Sequence, residues 1–193
     1  SRFKPIIDKI NNDKKLDYLL IVTGIHLLKK YGFSINEIKK TGIKINTTFK
    51  MYSNVSIKND DGATMVSAFG TAIINLSKIL KKTKPDIVLS GFDIGANFAV
   101  TVAAAHMNIP VAHIQGGEVS GTIDESIRHA MSKFSHYHLV SNKDAQQRLI
   151  KMGEDKSKIH IVGCPSIEAL FNEKLLKKKF LEKKFGIDFK KKF

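Results

Sequence analysis

Five short apolar runs recur along this chain, and each stops at a cluster of small or polar residues. They are "LDYLLIVTG" (16–24), "DIVLSGFD" (86–93), "IPVAHIQ" (109–115), "HYHLVS" (136–141) and "IHIVGCP" (159–165). All five read as strands; the continuous hydrophobicity of "LDYLLIVTG", "DIVLSGFD" and the run opening the third marks strands buried in a parallel sheet. A sixth segment, "IKINTTFKMY" (43–52), alternates and is rich in β-branched residues, as a half-buried strand would be.

Between these runs lie helical patterns. "FKPIIDKINN" gathers Ile6, Ile7 and Ile10 on one side, and "HLLKKYG" and "SINEIKKTG" are short pieces closed by glycine. "DGATMVSAFGTAIINLSKILKKTKP" is a long helix with Asp at its start and Lys and Pro at its end. "ANFAVTVAAAHMN" is almost wholly apolar and so expected to be buried. "IDESIRHAMSKF", "NKDAQQRLIKMG" and "SIEALFNEKLLKKKF" complete the set, with Asn142 and Gly153 as the expected caps of the second. Strand and helix alternate throughout, so the expected fold is α/β: a doubly wound, Rossmann-like parallel sheet with helices on both faces.

Such sheets bind ligands beyond the carboxyl ends of their strands. Five stretches therefore matter most: Thr23 to His26, Ser90 to Asn97, His113 to Glu118, Ser141 to Asp144, and Gly163 to Ser166. Ionisable groups crowd the third of these and its continuation, "AHIQGGEVSGTIDESIRHA" (112–130).

Length and composition set outer bounds. A chain of 193 residues with 42% hydrophobic content suits one domain with a proper core plus an extension. We place a Rossmann-like domain at 1–170 and a Lys-rich helix or linker at 171–193. The chain opens in a helix with no strand before it, so an opening strand is expected to be missing and a second domain to follow. The apolar runs fall short of the roughly 20 residues of a membrane helix, and no secretory signal opens the sequence. One cysteine, Cys164, excludes an internal disulfide framework and is read as structural. The simple reading is a cytoplasmic protein with no membrane partner. The net charge of +14 comes mostly from lysine, and residues 171–193 alone hold nine lysines against three acids. Few aromatics are interleaved with them, so a solvated surface is favoured over nucleic-acid binding; the charge would still attract a phosphorylated substrate.

Each candidate site residue has a plain structural alternative. Asp93 ends a buried strand, where it could contact a sugar hydroxyl, act as a base, or cap the next helix; Asn97 could cap instead. Asp124 could cap its helix, Glu125 suits the first helical turn, and Arg128 stands four residues after Asp124 as an ion-pair partner. With Glu118, the three carboxylates could shift one another's pKa. His113 and Gln115 share a strand face by the period of two. His26 has no obvious packing role. His136 and His138 lack further ligands at metal spacing, so no metal is expected. "GFDIGAN" is neither a Walker loop nor a dinucleotide fingerprint, so no ATP or NAD is implied; no cofactor is expected.

The run "HIQGGEVSGTIDESIRHA", continued by "IHIVGCPSI" and, more weakly, by "VTGIHL" and "NIPVAHI", closely resembles the hydrolysing UDP-N-acetylglucosamine 2-epimerases of sialic and related nonulosonic acid biosynthesis. The resemblance spans nearly the whole chain. It implies the N-terminal half of a GT-B fold, with the active site facing a second domain that supplies much of the nucleotide site. It implies conversion of UDP-GlcNAc to N-acetylmannosamine and UDP: UDP leaves by elimination with loss of the C2 proton, and water then adds to a glycal. That chemistry needs at least two acid–base groups around one ring. The resemblance matches Asp93 and Asp124 to the family's catalytic carboxylates and Arg128 and His129 to its "IRH" element, which would orient the substrate. Glu118 is the third catalytic candidate, to take over where Gln115 cannot transfer a proton, and His26, His113, Gln115 and Ser141, at the strand ends, are the further substrate-binding candidates. It also implies a homodimer. Several relatives carry a glutamate where this chain has Gln115, and the family's "GDRFE" reads "GFDIGAN" here. An inactive sugar-nucleotide-binding or regulatory module is therefore the alternative. The "GTIDESIRHA" element argues against a glycosyltransferase.

Overall fold

A computed structural model of the chain describes residues 2–52, 61–92, 95–172 and 177–189. Two parallel sheets hold its strands. β1 (Ile21–Val22) pairs with β2 (Thr47–Thr48). β3 (Val88–Gly91), β4 (Val111–Ile114), β5 (Tyr137–Val140) and β6 (Ile159–Ile161) lie side by side in chain order. The register pairs Ser90 with His113, His113 with His138, and His138 with Ile159. The connecting helices are α1 (Lys4–Asn11), α2 (Ile35–Lys40), α3 (Gly62–Thr83), α4 (Gly95–His106), α5 (Ile123–Phe134), α6 (Lys143–Lys151), α7 (Pro165–Asn172) and α8 (Lys178–Phe185). The chain is a doubly wound, Rossmann-like α/β unit, as its alternating pattern predicts.

The core forms where the apolar patterns meet. Ala68, Ala72, Leu76 and Leu80 recur every four residues along α3 and pack with Ala99, Ala103 and Ala104 of α4 over Val88 and Val111. Alanines on both sides let the two helices approach closely. Among the described residues α3 alone is long and apolar enough to cross a membrane by length and composition, a property the short apolar runs did not suggest. Its alanine–leucine stripe is buried in this core. A second cluster, Val140, Ala145, Leu149 and Ile159, seats α6 against β5 and β6.

The first two strands are shorter than their sequences predict. "LDYLLIVTG" contributes two residues to β1, and Leu16 and Leu19 are exposed. "IKINTTFKMY" contributes two to β2. Side chains take up backbone groups that a longer ladder would use: Asn46 Oδ1 accepts from Leu20 N, Tyr18 Oη accepts from Lys44 N, and Thr23 Oγ1 donates to Phe49 O. "HLLKKYG" forms 3₁₀ turns, Gly24–Leu27 and Lys29–Tyr31, with Gly32 in the left-handed conformation. The helix expected over 166–180 is described as α7 up to Asn172 and α8 from Lys178.

Candidate active site

Beyond the carboxyl ends of β3, β4 and β6 lies a cavity of about 480 Å³, lined by Arg2, Phe92, Gln115, Glu118, Asp124, Arg128, Cys164 and Ser166. Two carboxylates and two guanidiniums face it: Arg2 from the segment before α1, Glu118 from the loop after β4, and Asp124 and Arg128 from α5. Four residues singled out from sequence, Gln115, Glu118, Asp124 and Arg128, meet here.

The loop after β4 makes this possible. Gln115 N still bonds Leu139 O, as a sheet residue would, but Gln115 takes φ 59° and leaves the strand. The period of two therefore stops at Ile114. His113 goes under α5, fully buried, while Gln115 turns into the cavity. The expectation that these two share a face fails for that reason. Gln115 Nε2 donates to Cys164 Sγ at 3.1 Å, which ties the β4 end to the β6 end. Phe92, at the end of β3, is also left-handed at φ 70°. Non-glycine residues in that region cost energy and concentrate at functional sites. The ring of Phe3 meets Phe92 edge-on at 5.0 Å between centroids, and the Arg2 guanidinium lies over the same ring at 5.0 Å.

Two glycines let the loop descend close to its neighbours. A Cβ on Gly116 would stand 2.8 Å from His113 Nδ1 and 2.9 Å from Ser132 Oγ, and one on Gly117 would stand 2.5 Å from Ala145 O. Two arginines then hold the loop carbonyls. Arg128 Nη1 donates to Glu118 O at 2.7 Å, and Arg148 Nη1 donates to Gly117 O. Ser141 Oγ, at the end of β5, donates to Glu118 Oε1. The Glu118 backbone and side chain are thus gripped from α5 and from the end of β5.

The start of α5 is built differently from the expectation. Thr122, not Asp124, is the N-cap: its hydroxyl accepts from Asp124 N. Glu125 reaches back, its Oε2 accepting from Ser120 N at 2.7 Å and Gly121 N at 2.9 Å. Those backbone donors, Gly121 first, hold the Glu125 carboxyl below the ordinary carboxylate range. With the cap and the first-turn acid supplied by others, Asp124 is an exposed side chain at the cavity edge. Arg128, expected to pair with Asp124, gives its guanidinium to the Glu118 carbonyl and to Ser120 Oγ.

Other candidates lie elsewhere. His113 has no surface for a substrate to touch; its Nδ1 meets Ser132 Oγ at 3.1 Å, and burial pushes its pKa down to about 3. His26 sits in the turn after β1 against Ser34 Oγ at 2.8 Å, and half-burial lowers its pKa. His129 faces Glu125 along α5 at 4.0 Å. Neither His26 nor His129 lines the cavity. Ser141 acts on Glu118 and not on the cavity wall. Asp93 and its expected capping role fall outside the described residues. No cluster of His, Cys, Asp and Glu suited to a metal occurs among the described residues.

Four cavity residues escaped the sequence reading: Arg2, Phe92, Cys164 and Ser166. The strand-end rule did point to Ser90–Asn97 and Gly163–Ser166, so Phe92, Cys164 and Ser166 were within reach of it. Arg2 carried no signal, because it comes to the site only through the packing of α1 beside α7. Arg148 was likewise invisible as a loop anchor.

The sequence matches the UDP-N-acetylglucosamine 2-epimerase family over residues 8–192. The chain belongs to that family. It is 35% identical over 185 residues to the UDP-N,N'-diacetylbacillosamine 2-epimerase (hydrolyzing) of Legionella pneumophila, covering 96% of this chain and 48% of that protein. It is 33% identical over 188 residues to the UDP-N-acetylglucosamine 2-epimerase of Neisseria meningitidis serogroup B, covering 97% and 48%. Among solved structures, the Neisseria meningitidis UDP-GlcNAc 2-epimerase bound to UDP-GlcNAc superimposes with a TM-score of 0.76 at 21% identity, over 96% of this chain and 50% of that one. The chain thus spans about half the length of the 2-epimerases it matches, the N-terminal half of their GT-B fold. In this member of the family the cavity opens where the sheet's strand ends converge, the usual ligand position of such sheets.

Proposed function

We propose that this chain is the N-terminal domain, residues 1–170 with a connecting segment at 171–193, of a hydrolysing nucleotide-sugar 2-epimerase. UDP-GlcNAc is the first substrate to test, giving UDP and N-acetylmannosamine. The proposed sequence is loss of the C2 proton with departure of UDP, then addition of water to the resulting 2-acetamidoglucal at C1 and return of a proton to C2 on the opposite face. The observation that carries this reading is the convergence of Glu118 and Asp124 with Arg2 and Arg128 on one cavity. Two carboxylates on separate elements can divide proton removal and proton return between two sides of a ring. Asp93 is the third proposed catalytic carboxylate. Two guanidiniums suit a diphosphate that gains charge as it leaves. Gln115 carries no ionisable proton, so its proposed part is binding; His129 and His26, which do not line the cavity, are proposed for binding only where the substrate extends beyond it. The second domain would complete the nucleotide site, and this chain alone would be an incomplete one. The names of the relatives add a UDP-linked diacetamido sugar as the second substrate to test.

The test is incubation of the full-length gene product with UDP-GlcNAc in D₂O, followed by proton NMR. Free UDP together with N-acetylmannosamine deuterated at C2 is the expected result. UDP release without deuterium at C2 would exclude the elimination route. A sugar nucleotide that stabilises the protein against heat yet is never turned over would favour the alternative, a binding or regulatory module, for which Gln115 in the place of a family glutamate is the supporting observation.

A further inference from the structure

Beneath the cavity floor lies a buried polar set that takes no part in the chemistry proposed above. His113 of β4 and Ser132 of α5 are both fully buried. The Ser132 hydroxyl has one proton, and it donates to Arg128 O at 3.1 Å. Ser132 Oγ is then left to accept, so the imidazole supplies the proton of the 3.1 Å contact from Nδ1. That assigns the tautomer: Nδ1 protonated, Nε2 a bare lone pair, and Nε2 indeed has no partner among the described residues. A neutral ring is what the surroundings demand. Besides burial, His138, Arg128 and His129 all oppose a positive charge there.

The same ring atom is a contact surface for the loop above. An added Cβ on Gly116 would meet both His113 Nδ1 and Ser132 Oγ at under 3.0 Å. The Gly116 backbone therefore rests directly on the His113–Ser132 hydrogen bond. One residue earlier is Gln115 and two residues later is Glu118, both lining the cavity; Ser132 on its other side is tied to the Arg128 backbone. The pair joins the β4 loop to the α5 turn that carries Arg128.

We propose that His113 is a positioning residue. Carrying its proton on Nδ1, it locks Ser132 and the Gly116 peptide together and so holds Glu118 and Arg128 in register across the cavity. This rests on the functional reading above, in which Glu118 and Arg128 face substrate.

The variants separate this from ordinary core packing. His113→Asn keeps a donor near the place of Nδ1, whereas His113→Gln moves it to the place of Nε2 and His113→Leu removes it. In the full-length enzyme, His113→Asn should retain kcat within about threefold. The other two should lose roughly tenfold to a hundredfold in kcat with KM changed less than about threefold, because sub-ångström displacement of a catalytic group costs rate rather than encounter. Activity is referred to the folded fraction measured by thermal unfolding. Equal kcat in all three variants, or losses that merely follow the unfolded fraction, would overturn the proposal. The ¹⁵N imidazole spectrum of the wild-type protein is an arm independent of turnover: a proton on Nδ1 with a bare Nε2 supports the proposal, and the opposite tautomer overturns it. A wild-type enzyme inactive on every nucleotide sugar but showing the Nδ1–H tautomer would sink the functional reading while leaving the bridge from Ser132 to Gly116 standing.

Discussion

Ser141 and Glu118 stand 23 residues apart, and the Ser141 hydroxyl donates to Glu118 Oε1. Asn142 Nδ2 in turn donates to Ser141 Oγ at 3.2 Å, while Asn142 Oδ1 caps α6 through Ala145 N. The end of β5 thus fixes a helix start and aims a cavity carboxylate with the same two residues. Removing the hydroxyl should free one Glu118 oxygen without opening a hole of consequence. Ser141→Ala is expected to lower kcat by about five- to tenfold, a loss of roughly 1–1.5 kcal/mol of the kind one hydrogen bond contributes. Steady-state kinetics on the full-length enzyme would show it, and an unchanged kcat would mean that Glu118 is held well enough by its backbone contact with Arg128.

Asp124 lies at the cavity edge, and the N-cap of α5 belongs to Thr122. Asp124→Asn should therefore abolish turnover while leaving the thermal midpoint within a few degrees of wild type. Near-normal activity in that variant would remove Asp124 from the proposed acid–base set. A large fall in the midpoint would show that the carboxylate serves the fold.

Gly117 takes φ 78°, and a Cβ there would stand 2.5 Å from Ala145 O. Strain in the left-handed region and a collision with backbone add together. Gly117→Ala should cost at least about 2 kcal/mol of stability, as substitutions at special backbone positions do. Gly121 is also left-handed, at φ 69°, but has open space around its Cβ position, so Gly121→Ala should cost only about 1 kcal/mol. Urea unfolding of both variants decides it; equal losses would mean that the approach to Ala145 relaxes freely.

Stability should decline as the solution is acidified. The folded pKa of His113 is about 3 against an ordinary 6.5, so between those values the unfolded chain binds a proton that the folded chain does not. Stability from this group is fully present above pH 6.5 and is lost as pH falls toward 3, by up to about 1.4 kcal/mol per pH unit. His138 is also lowered, chiefly by burial, and acts in the same direction. Denaturant titrations at stepped pH should give a slope that is shallower in His113→Asn than in wild type. Parallel slopes would show that His113 takes up its proton in the folded state.

Much of this protein was already settled by its amino-acid order. The apolar runs before Gly91 and Gln115 specify strands buried on both faces, because only a parallel sheet covered by helices can hide them. The runs before Ser141 and Gly163 form strands too, but Tyr137 of β5 and Ile161 of β6 are exposed. The strand-end rule then drew attention to Gln115, Glu118, Asp124 and Arg128, since side chains at such ends have nowhere to go but the crevice beyond the sheet. Tertiary packing decided the rest. Periodicity placed His113 beside Gln115, but a left-handed backbone at Gln115 separates them, and torsions of single residues leave no periodic trace. Helix rules offered Asp124 as a cap, but Thr122 and Glu125 take over those duties, because several side chains compete for the same few backbone donors. Ser141 was marked by its strand end, but its pairing with Glu118 was not. Arg2 and Arg148 act on the site across gaps of many residues, and no local pattern records a contact made only when distant elements close on one another.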